Sequence, residues 1–249
     1  MKILDAHTHL GSCRVFDLNV SEEDLIKNMD AKGVDAAIVQ PFPGAYPQPP
    51  VDVHDRIAKL AEKHPGRIFG MASVNPHVMS REAWRQEVER CVKDLGFVGV
   101  KLHTIGHAIL PSSTDGMMIF ETANELGVPV MVHTGLGIPL ALPGMIIPAA
   151  TKYPNLPIVL SHCGFNIATG EAVHVASTFK NVYVECSWCI GADILWAMKE
   201  LGPEKVMFGT DFTSNIETEL VKVKEAGATP EQLEWYLGKT AAKVFKIKL

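Results

Sequence analysis

Eight short runs of apolar and β-branched residues recur along the chain, and their spacing limits its fold more than any other feature. The runs are Ile3–His7, Asp35–Gln40, Ile68–Val74, Val98–Leu102, Val128–His133, Ile158–Ser161, Val182–Glu185 and Val206–Gly209. Segments with helical spacing lie between them, and the repeat of roughly 25 to 33 residues is about the size of one βαβ unit. This pattern predicts a parallel sheet whose strands alternate with helices.

Residues that begin and end helices stand between the runs. Ser21 and Ser80 precede predicted helices, and Thr229-Pro230 opens the last one with proline at the first helical position. Glycines expected to take the left-handed conformation follow four helix ends, at Gly33, Gly96, Gly127 and Gly202. The sequence therefore predicts an α/β protein, a single-domain (β/α)8 TIM barrel spanning residues 1–249. The alternative is an open doubly wound sheet, although no glycine-rich phosphate loop follows the first run.

The composition narrows the expected partners. There are 23 basic and 28 acidic residues without a long run of either sign, so a small-molecule substrate is expected and nucleic acid is not. Residues 1–9 lack a basic segment followed by an apolar one, which predicts no secretory signal and a cytoplasmic location. Five scattered cysteines favour reduced thiols, and the C-x-x-C of Cys186 and Cys189 lacks the second pair of a zinc site.

An apolar segment, Leu136 to Ala150, is interrupted by three prolines and is too short to span a bilayer. We expect no membrane partner and interpret the segment as a loop or lid. This loop after the fifth run and the loop from Pro41 to Pro47 after the second should border the pocket. Alternatively, the apolar segment forms a contact between subunits of a homodimer or higher homo-oligomer.

Polar residues are concentrated where the runs end. His7, Thr8 and His9 end the first run, Lys101 and His103 the fourth, His133 the fifth, His162 follows the sixth and Asp211 the eighth. The active sites of barrels lie at the carboxyl ends of the strands. We therefore expect these residues, although far apart in sequence, to meet at one rim.

The residue types at this rim favour a metal site. Histidines two apart on a strand share one face, about 6.5 to 7 Å apart at Cα, so His7 and His9 can bind one cation. A histidine after an apolar run, such as His133 or His162, is often a neutral core residue. One of these two with Asp211 would, however, complete a set of three imidazoles and one carboxylate. Such a set suits a borderline divalent cation, zinc first and manganese second, with an open position for water and no organic cofactor.

Three further residues have open roles. Lys101 either extends its ammonium to the mouth of the barrel, anchors a substrate carboxylate, or is carboxylated and bridges two metals. His103 shares the face of Lys101 and either binds substrate or orients the lysine. Arg14 could bind a substrate carboxylate in a bidentate manner, and its alternative is a surface charge.

Five motifs at the strand ends can be compared with known families: Asp5-Ala6-His7-Thr8-His9, Gly99-Val100-Lys101-Leu102-His103, His133, Ser161-His162-Cys163-Gly164 and Gly209-Thr210-Asp211-Phe212. Together they resemble the amidohydrolase superfamily, and more narrowly its amidohydrolase 2 branch. The branch includes aminocarboxymuconate-semialdehyde decarboxylase and related decarboxylases, hydratases and lactone hydrolases. The resemblance implies that His7, His9, His133 and Asp211 bind the metal and that His162 contacts substrate or metal-bound water. Thr104 and Thr240 depart from the residues common in the branch.

Hydrolysis of a small ester, lactone or amide is the first functional hypothesis. A metal-activated water would be the nucleophile, Asp211 would take its proton, and His162 would donate a hydrogen bond to the developing oxyanion. The second hypothesis is a non-oxidative decarboxylase of a small aromatic or dienoic acid, with Lys101 helping to hold the substrate. The third is a catalytically silent barrel that binds metal and a ligand.

Overall fold

The predicted strands pair side by side in one curled sheet. The computed structural model describes residues 1–13, 17–43 and 50–249. The strands are β1 (Leu4–Cys13), β2 (Leu18–Val20), β3 (Ala36–Pro41), β4 (Ile68–Ser73), β5 (Gly99–Leu102), β6 (Val130–His133), β7 (Ile158–Ser161), β8 (Val182–Glu185) and β9 (Val206–Met207). Their order in the sheet is β2-β1-β3-β4-β5-β6-β7-β8-β9, with β2 antiparallel to β1 and all other neighbours parallel. The predicted α/β class and parallel sheet are therefore confirmed.

Helices connect the parallel strands and cover the sheet. A π-helical turn, Trp235–Lys239, joins the last two of them. The helices are α1 (Glu22–Lys32), α2 (Pro50–Lys63), α3 (Arg81–Lys93), α4 (Thr114–Leu126), α5 (Ile147–Lys152), α6 (Thr169–Thr178), α7 (Gly191–Leu201), α8 (Ile216–Glu225), α9 (Pro230–Glu234) and α10 (Thr240–Val244). No helix in the described ranges is long and apolar enough to cross a bilayer.

Backbone hydrogen bonds link β1 to the chain that follows β9. The amide of Ala6 donates to the carbonyl of Phe208 (3.1 Å), and the amides of Thr210 and Asp211 donate to the carbonyl of His7 (3.1 and 2.7 Å). Thr8 and Asp211 also form an isolated parallel bridge. These bonds place the first and last polar strand ends next to each other.

Alternation along the strands separates two apolar layers. Outward residues such as Val100 and Leu102 pack with the helices in the larger core. Inward residues such as Leu4, Met71 and Val159 pack with Phe245 and neighbouring residues of the C-terminal helix in a smaller core. Burial of each large side chain contributes about 1.5–3 kcal/mol. The inward polar residues at the carboxyl ends of the strands lie beyond this smaller core.

The predicted caps are largely confirmed. The side chains of Ser21 and Ser80 accept hydrogen bonds from the first turns of α1 and α3, and Thr229 forms a capping box. Gly33 is left-handed after α1, at φ 70° and ψ 31°. Gly202, however, has φ 83° and ψ 144°, so the predicted left-handed cap is wrong there. Pro203 follows it, and a residue before proline is driven away from helical ψ values.

Two predicted boundaries differ from the structure. The first strand extends well past His7 because residues 11–13 pair with β2, which the apolar pattern did not predict. The interpretation of Leu136 to Ala150 as a loop is wrong for its second half, which forms a 3-10 turn, Pro143–Ile146, followed by α5. Prolines stand in the first turns of both segments, where they favour a helix start.

Candidate active site

Three of the four predicted metal ligands converge. The Nε2 atoms of His7 and His9 lie 3.3 and 3.2 Å from the same carboxylate oxygen, Oδ1 of Asp211. Their ligand atoms are all within 4.8 Å of one another. β1 supplies both imidazoles, and the bonds from Thr210 and Asp211 to the His7 carbonyl hold the aspartate beside them.

The hydrogen bonds of His7 and His9 leave one nitrogen of each ring free to bind a cation. Nδ1 of His7 lies 2.8 Å from Glu185 Oε2, and Nδ1 of His9 lies 2.9 Å from the Pro41 carbonyl. Both partners are acceptors, so Nδ1 carries the proton and Nε2 keeps its lone pair. Two lone pairs and one carboxylate oxygen thus surround one point, which is the donor chemistry and outer support of a divalent metal site.

His133 does not join this group directly. Its Nε2 lies 3.1 Å from the Leu136 carbonyl, so its Nδ1 is unprotonated. That Nδ1 is buried and has no hydrogen-bond partner among the described residues. The ring stacks on His103 at 4.5 Å between centroids and lies 4.9 Å from His162. A buried lone pair without a donor costs free energy. A metal ion bound to Nδ1 would remove that cost, so His133 is also suited to be a metal ligand.

His162 lies in the same layer of imidazoles, with its ring centroid 5.0 Å from that of His7. Its Nδ1 is 2.8 Å from Ser187 Oγ. The backbone is left-handed at six non-glycine residues around the site: His162 (φ 64°), Cys163 (42°), Phe165 (54°), Asn166 (59°), Trp188 (67°) and Asp211 (63°). Such conformations cost free energy, and they cluster where side-chain placement matters more than local stability.

Lys101 does not extend to the mouth. Its side chain is buried, and Nζ lies 2.9 Å from Ser161 Oγ and 3.1 Å from His7 Nε2. Burial lowers the pKa of Lys101 to about 8. The carboxylates of Asp211 and Glu185 act in the opposite direction, because they stabilise the charged ammonium. The lysine is therefore a cation fixed beneath the paired histidines at neutral pH.

His103 contacts neither Lys101 nor the paired histidines through a hydrogen bond. Its Nδ1 accepts from the amide of Gly106 at 2.9 Å, so Nε2 carries its proton. The lysine is oriented by Ser161 and His7 instead, and the alternative in which His103 orients it is wrong. Arg14 and residues 44–47 of the predicted pocket loop lie outside the described residues.

Burial and charge set the ionisation of the site. Burial holds the pKa of both His7 and His162 well below the ordinary value, so these imidazoles are neutral. Burial opposes ionisation of Asp211, but its close contacts with His9, His7 and His162 outweigh that effect and keep its pKa well below the usual range. The site therefore offers neutral nitrogen ligands and an ionised carboxylate.

Among the described residues, four aromatic side chains, Phe42, Phe165, Trp188 and Phe212, lie around the mouth. Phe42 stacks on His9 at 4.8 Å and on Phe212 at 5.8 Å between centroids. Trp188 lies 5.9 Å from Phe212 and 6.3 Å from Phe165. The indole Nε1 of Trp188 donates to Oδ2 of Asp211 at 2.9 Å. The rim thus combines flat apolar surfaces with a hydrogen bond to the central carboxylate.

Several residues of the site were not predicted from the sequence. Glu185, Ser161 and Gln40 each stand at the end of a predicted strand, which is the signal that identified the histidines. Gln40 Nε2 lies 3.3 Å from His9 Nε2. Ser187 and Trp188 follow β8 in a loop, where the sequence carries no comparable signal.

A second cluster of ligand-type residues, His54, Glu87 and Cys91, lies outside this site. Nδ1 of His54 is 2.8 Å from Glu87 Oε1, and its Nε2 accepts from the amide of Ser73 at 3.1 Å. Arg90 donates two hydrogen bonds to Glu87. With every group already hydrogen-bonded, the cluster is a structural network. Cys186 and Cys189 are buried free thiols.

Known proteins resemble this chain in sequence and in fold. The sequence model of the amidohydrolase family matches residues 5–247. The 2-amino-3-carboxymuconate-6-semialdehyde decarboxylase of Dictyostelium discoideum is 26% identical over 197 residues, 65% of this chain and 54% of that protein. The chain thus matches about half the length of this curated relative.

Solved structures are similar over the whole chain. The 5-carboxyvanillate decarboxylase of Novosphingobium aromaticivorans, complexed with manganese and 4-hydroxy-3-methoxy-5-nitrobenzoic acid, has a TM-score of 0.76 and 18% identity, covering 98% of this chain and 96% of that one. A provisionally assigned 2-pyrone-4,6-dicarboxylic acid hydrolase from Pseudomonas putida has a TM-score of 0.75 and 17% identity, covering 100% and 98%. These likenesses show the fold.

Proposed function

This chain belongs to the amidohydrolase family, and from that premise we propose that it is a metal-dependent, non-oxidative decarboxylase of a small aromatic or dienoic carboxylic acid. One observation carries the proposal: His7 and His9 meet on Asp211 inside a rim of aromatic rings. The Dictyostelium relative and the carboxyvanillate enzyme are both decarboxylases. They support this hypothesis over the hydrolysis first expected from the sequence.

We further propose that the whole chain, 1–249, is one closed (β/α)8 barrel. The hydrogen bond from Ala6 to Phe208 and the pairing of Thr8 with Asp211 support closure between the first and last strands. Closure matters for function because it brings the two halves of the proposed ligand set, from opposite ends of the sequence, to one rim.

His7, His9, His133 and Asp211 would hold the metal. When bound, a divalent cation supplies Lewis-acid stabilisation to the negative charge of the substrate. Imidazole and carboxylate donors suit both zinc and manganese. The manganese in the carboxyvanillate decarboxylase supports testing manganese beside zinc.

The chain's own side chains bind and orient the acid. A planar, conjugated substrate would lie against the apolar surface that Phe42, Phe212 and Trp188 form together at the mouth. The fixed positive charge of Lys101 stabilises its carboxylate from beneath the paired histidines. His103 donates through Nε2 to a substrate oxygen, since its Nδ1 is occupied by Gly106.

His162 handles the proton that replaces carbon dioxide. Its Nε2 takes a proton from solvent, and because burial keeps its pKa low, the imidazolium gives the proton up readily. The proton adds to the carbon that bears the carboxylate. The bond to the carboxylate then breaks, its electron pair returns to the conjugated system, and carbon dioxide leaves. The net reaction exchanges one carboxylate for one hydrogen without an oxidant.

A panel of hydroxybenzoic and dienoic acids, assayed in D2O with manganese- or zinc-loaded protein, tests this function. We expect carbon dioxide release with one deuterium at the carbon that carried the carboxylate, read by proton NMR, and loss of turnover in His162→Asn. Acid release from esters or lactones without decarboxylation would instead favour hydrolysis. No turnover in either panel would leave the silent metal-binding barrel.

Hydrolysis remains the second function because of the likeness to the pyrone dicarboxylic acid hydrolase. In that reaction Asp211 would take the proton of the attacking water, and His162 would donate to the oxyanion. A pyrone dicarboxylate included in the panel separates the two chemistries, since ring opening adds water and leaves the carbon count unchanged.

We also propose that the chain forms a homo-oligomer. The side chains of Leu136 and Ile138 are 43% and 64% exposed beside the site, and exposed apolar surface favours association. Light scattering after size exclusion tests this, with Ile138→Glu expected to shift any dimer toward monomer.

A further inference from the structure

Glu185 lies at the end of β8 with its side chain fully buried, between two histidines of the site. Four hydrogen-bond donors face its carboxylate. Nδ1 of His7 is 2.8 Å from Oε2, Ser187 Oγ is 3.1 Å from it, and the His162 amide is 3.3 Å away. The amide of Ser187 donates to Oε1. Facing these donors, the carboxyl group acts as their hydrogen-bond acceptor.

This arrangement fixes the proton positions on both imidazoles. His7 must carry its proton on Nδ1, because Glu185 accepts there. The single hydroxyl proton of Ser187 is donated to Glu185, so Ser187 Oγ accepts from Nδ1 of His162 at 2.8 Å. His162 therefore also carries its proton on Nδ1. Both rings present the Nε2 lone pair on the side opposite this carboxylate.

The fold also preserves the space that Glu185 occupies. A Cβ at Gly209 would lie 2.5 Å from Glu185 Oε1 and 2.9 Å from His7 Cβ. Glycine on the neighbouring segment is therefore what allows the carboxylate to reach His7. The positions of Glu185, Gly209 and Ser187 therefore depend on one another.

We infer that Glu185 is a positioning residue shared by two functions: it sets His7 as a metal ligand directly and sets His162 for proton handling through Ser187. The roles of His7 and His162 rest on the proposed function, whereas their proton positions do not. The inference explains why a buried carboxylate is tolerated here, since it orients two rings at once.

The test uses Glu185→Gln, which keeps the shape of the side chain but removes the carboxylate charge and one of its two acceptor oxygens. An amide has one acceptor oxygen, and its NH2 group must face one of the present donors. We expect His7 or His162 to shift its proton to Nε2, which long-range ¹H–¹⁵N NMR of the histidine rings detects in metal-free protein. We also expect Zn²⁺ affinity, measured by competition with a chelator, to fall about 10- to 100-fold.

Two variants separate positioning from a general loss of packing. Ser187→Ala cuts only the branch to His162, so Zn²⁺ affinity should stay within about twofold of wild type while the His162 ring signals change. Glu87→Gln is the matched control. It removes a second buried glutamate that accepts from a histidine, His54, in the network away from the site. It should leave Zn²⁺ affinity and the signals of His7 and His162 unchanged.

The inference is overturned if Glu185→Gln keeps Nδ1 protonated on both rings and binds Zn²⁺ as wild type does. If Glu185→Gln does not fold, Ser187→Ala decides: unchanged His162 ring signals would overturn the shared role. Neither readout needs a substrate. Failure of the decarboxylase proposal would appear as an absence of turnover, with the NMR and Zn²⁺ results intact.

Discussion

Replacing Gly209 with alanine should displace Glu185 and His7 and destabilise the protein. The new Cβ would lie 2.5 Å from Glu185 Oε1, 2.8 Å from its Cδ and 2.9 Å from His7 Cβ. Ordinary carbon contacts are about 3.5–4.0 Å, so these atoms must move by roughly 0.5 to 1 Å. Neither neighbour yields easily, because Glu185 is held by its donors and the His7 carbonyl accepts from two amides.

The expected cost follows from these contacts. Overpacking of a buried site costs about 1–3 kcal/mol, and loss of the hydrogen bond between His7 and Glu185 adds about 1.5–3 kcal/mol if it breaks. We therefore expect Gly209→Ala to lower the free energy of unfolding by about 1–3 kcal/mol, or by about 2.5–6 kcal/mol if that hydrogen bond also breaks. Urea titration followed by circular dichroism measures this as a lower midpoint at an unchanged slope.

Gly170→Ala is the matched control. Gly170 lies exposed in α6, and a Cβ there would meet no atom within 4 Å. Because alanine favours helices over glycine, this variant should be as stable as wild type or up to about 1 kcal/mol more stable. If Gly209→Ala unfolds within about 0.5 kcal/mol of wild type and retains its Zn²⁺ affinity, the packing argument for Glu185 is wrong.

Three further predictions concern the metal, the rim and acid stability. Chelator dialysis or His9→Ala should reduce the metal content measured by mass spectrometry and abolish turnover, whereas His174→Ala, on the exposed side of α6, should not. Trp188→Phe removes the donor to Asp211 Oδ2 and should lower kcat about 10- to 100-fold; an unchanged kcat would rule out a role for that bond. Burial lowers the pKa of His107 from 6.5 to about 3. As the pH falls from 6.5 to about 3, His107 is protonated in the unfolded chain but stays neutral in the folded one. The free energy of unfolding therefore falls by at most about 5 kcal/mol. His107→Phe should lose less stability over the same titration, and identical urea midpoints across pH 3–6.5 would contradict this.

Periodicity was enough to predict the parallel sheet and the rim of polar strand ends. Strand ends of a parallel sheet share one edge whatever the details of packing, so the meeting of His7, His9 and Asp211 followed from their positions in the sequence. Capping at Ser21 and Thr229 was equally local, since it depends on residues within one turn.

Features that depend on distant neighbours could not be predicted in the same way. The depth of Lys101 is set by Ser161, which lies on another strand and provides an acceptor away from solvent. The ring of His133 is turned by the Leu136 carbonyl, a matter of local backbone path after the strand. Glu185 ends an apolar run much as the histidines do, yet its partnership with His7 depends on the register of β8 and on the space left at Gly209.

The left-handed backbone at His162, Phe165, Trp188 and Asp211 restricts how this rim can vary in evolution. Valine, isoleucine and threonine are strongly disfavoured at such φ angles, while glycine, asparagine and aspartate are tolerated best. Substitutions that reshape the pocket must therefore come mainly from residues with an unbranched Cβ, even where the chemistry of a branched side chain would suit a new substrate. Changes of specificity should accumulate first at neighbouring positions with ordinary backbone angles, among them Phe42 and Phe212.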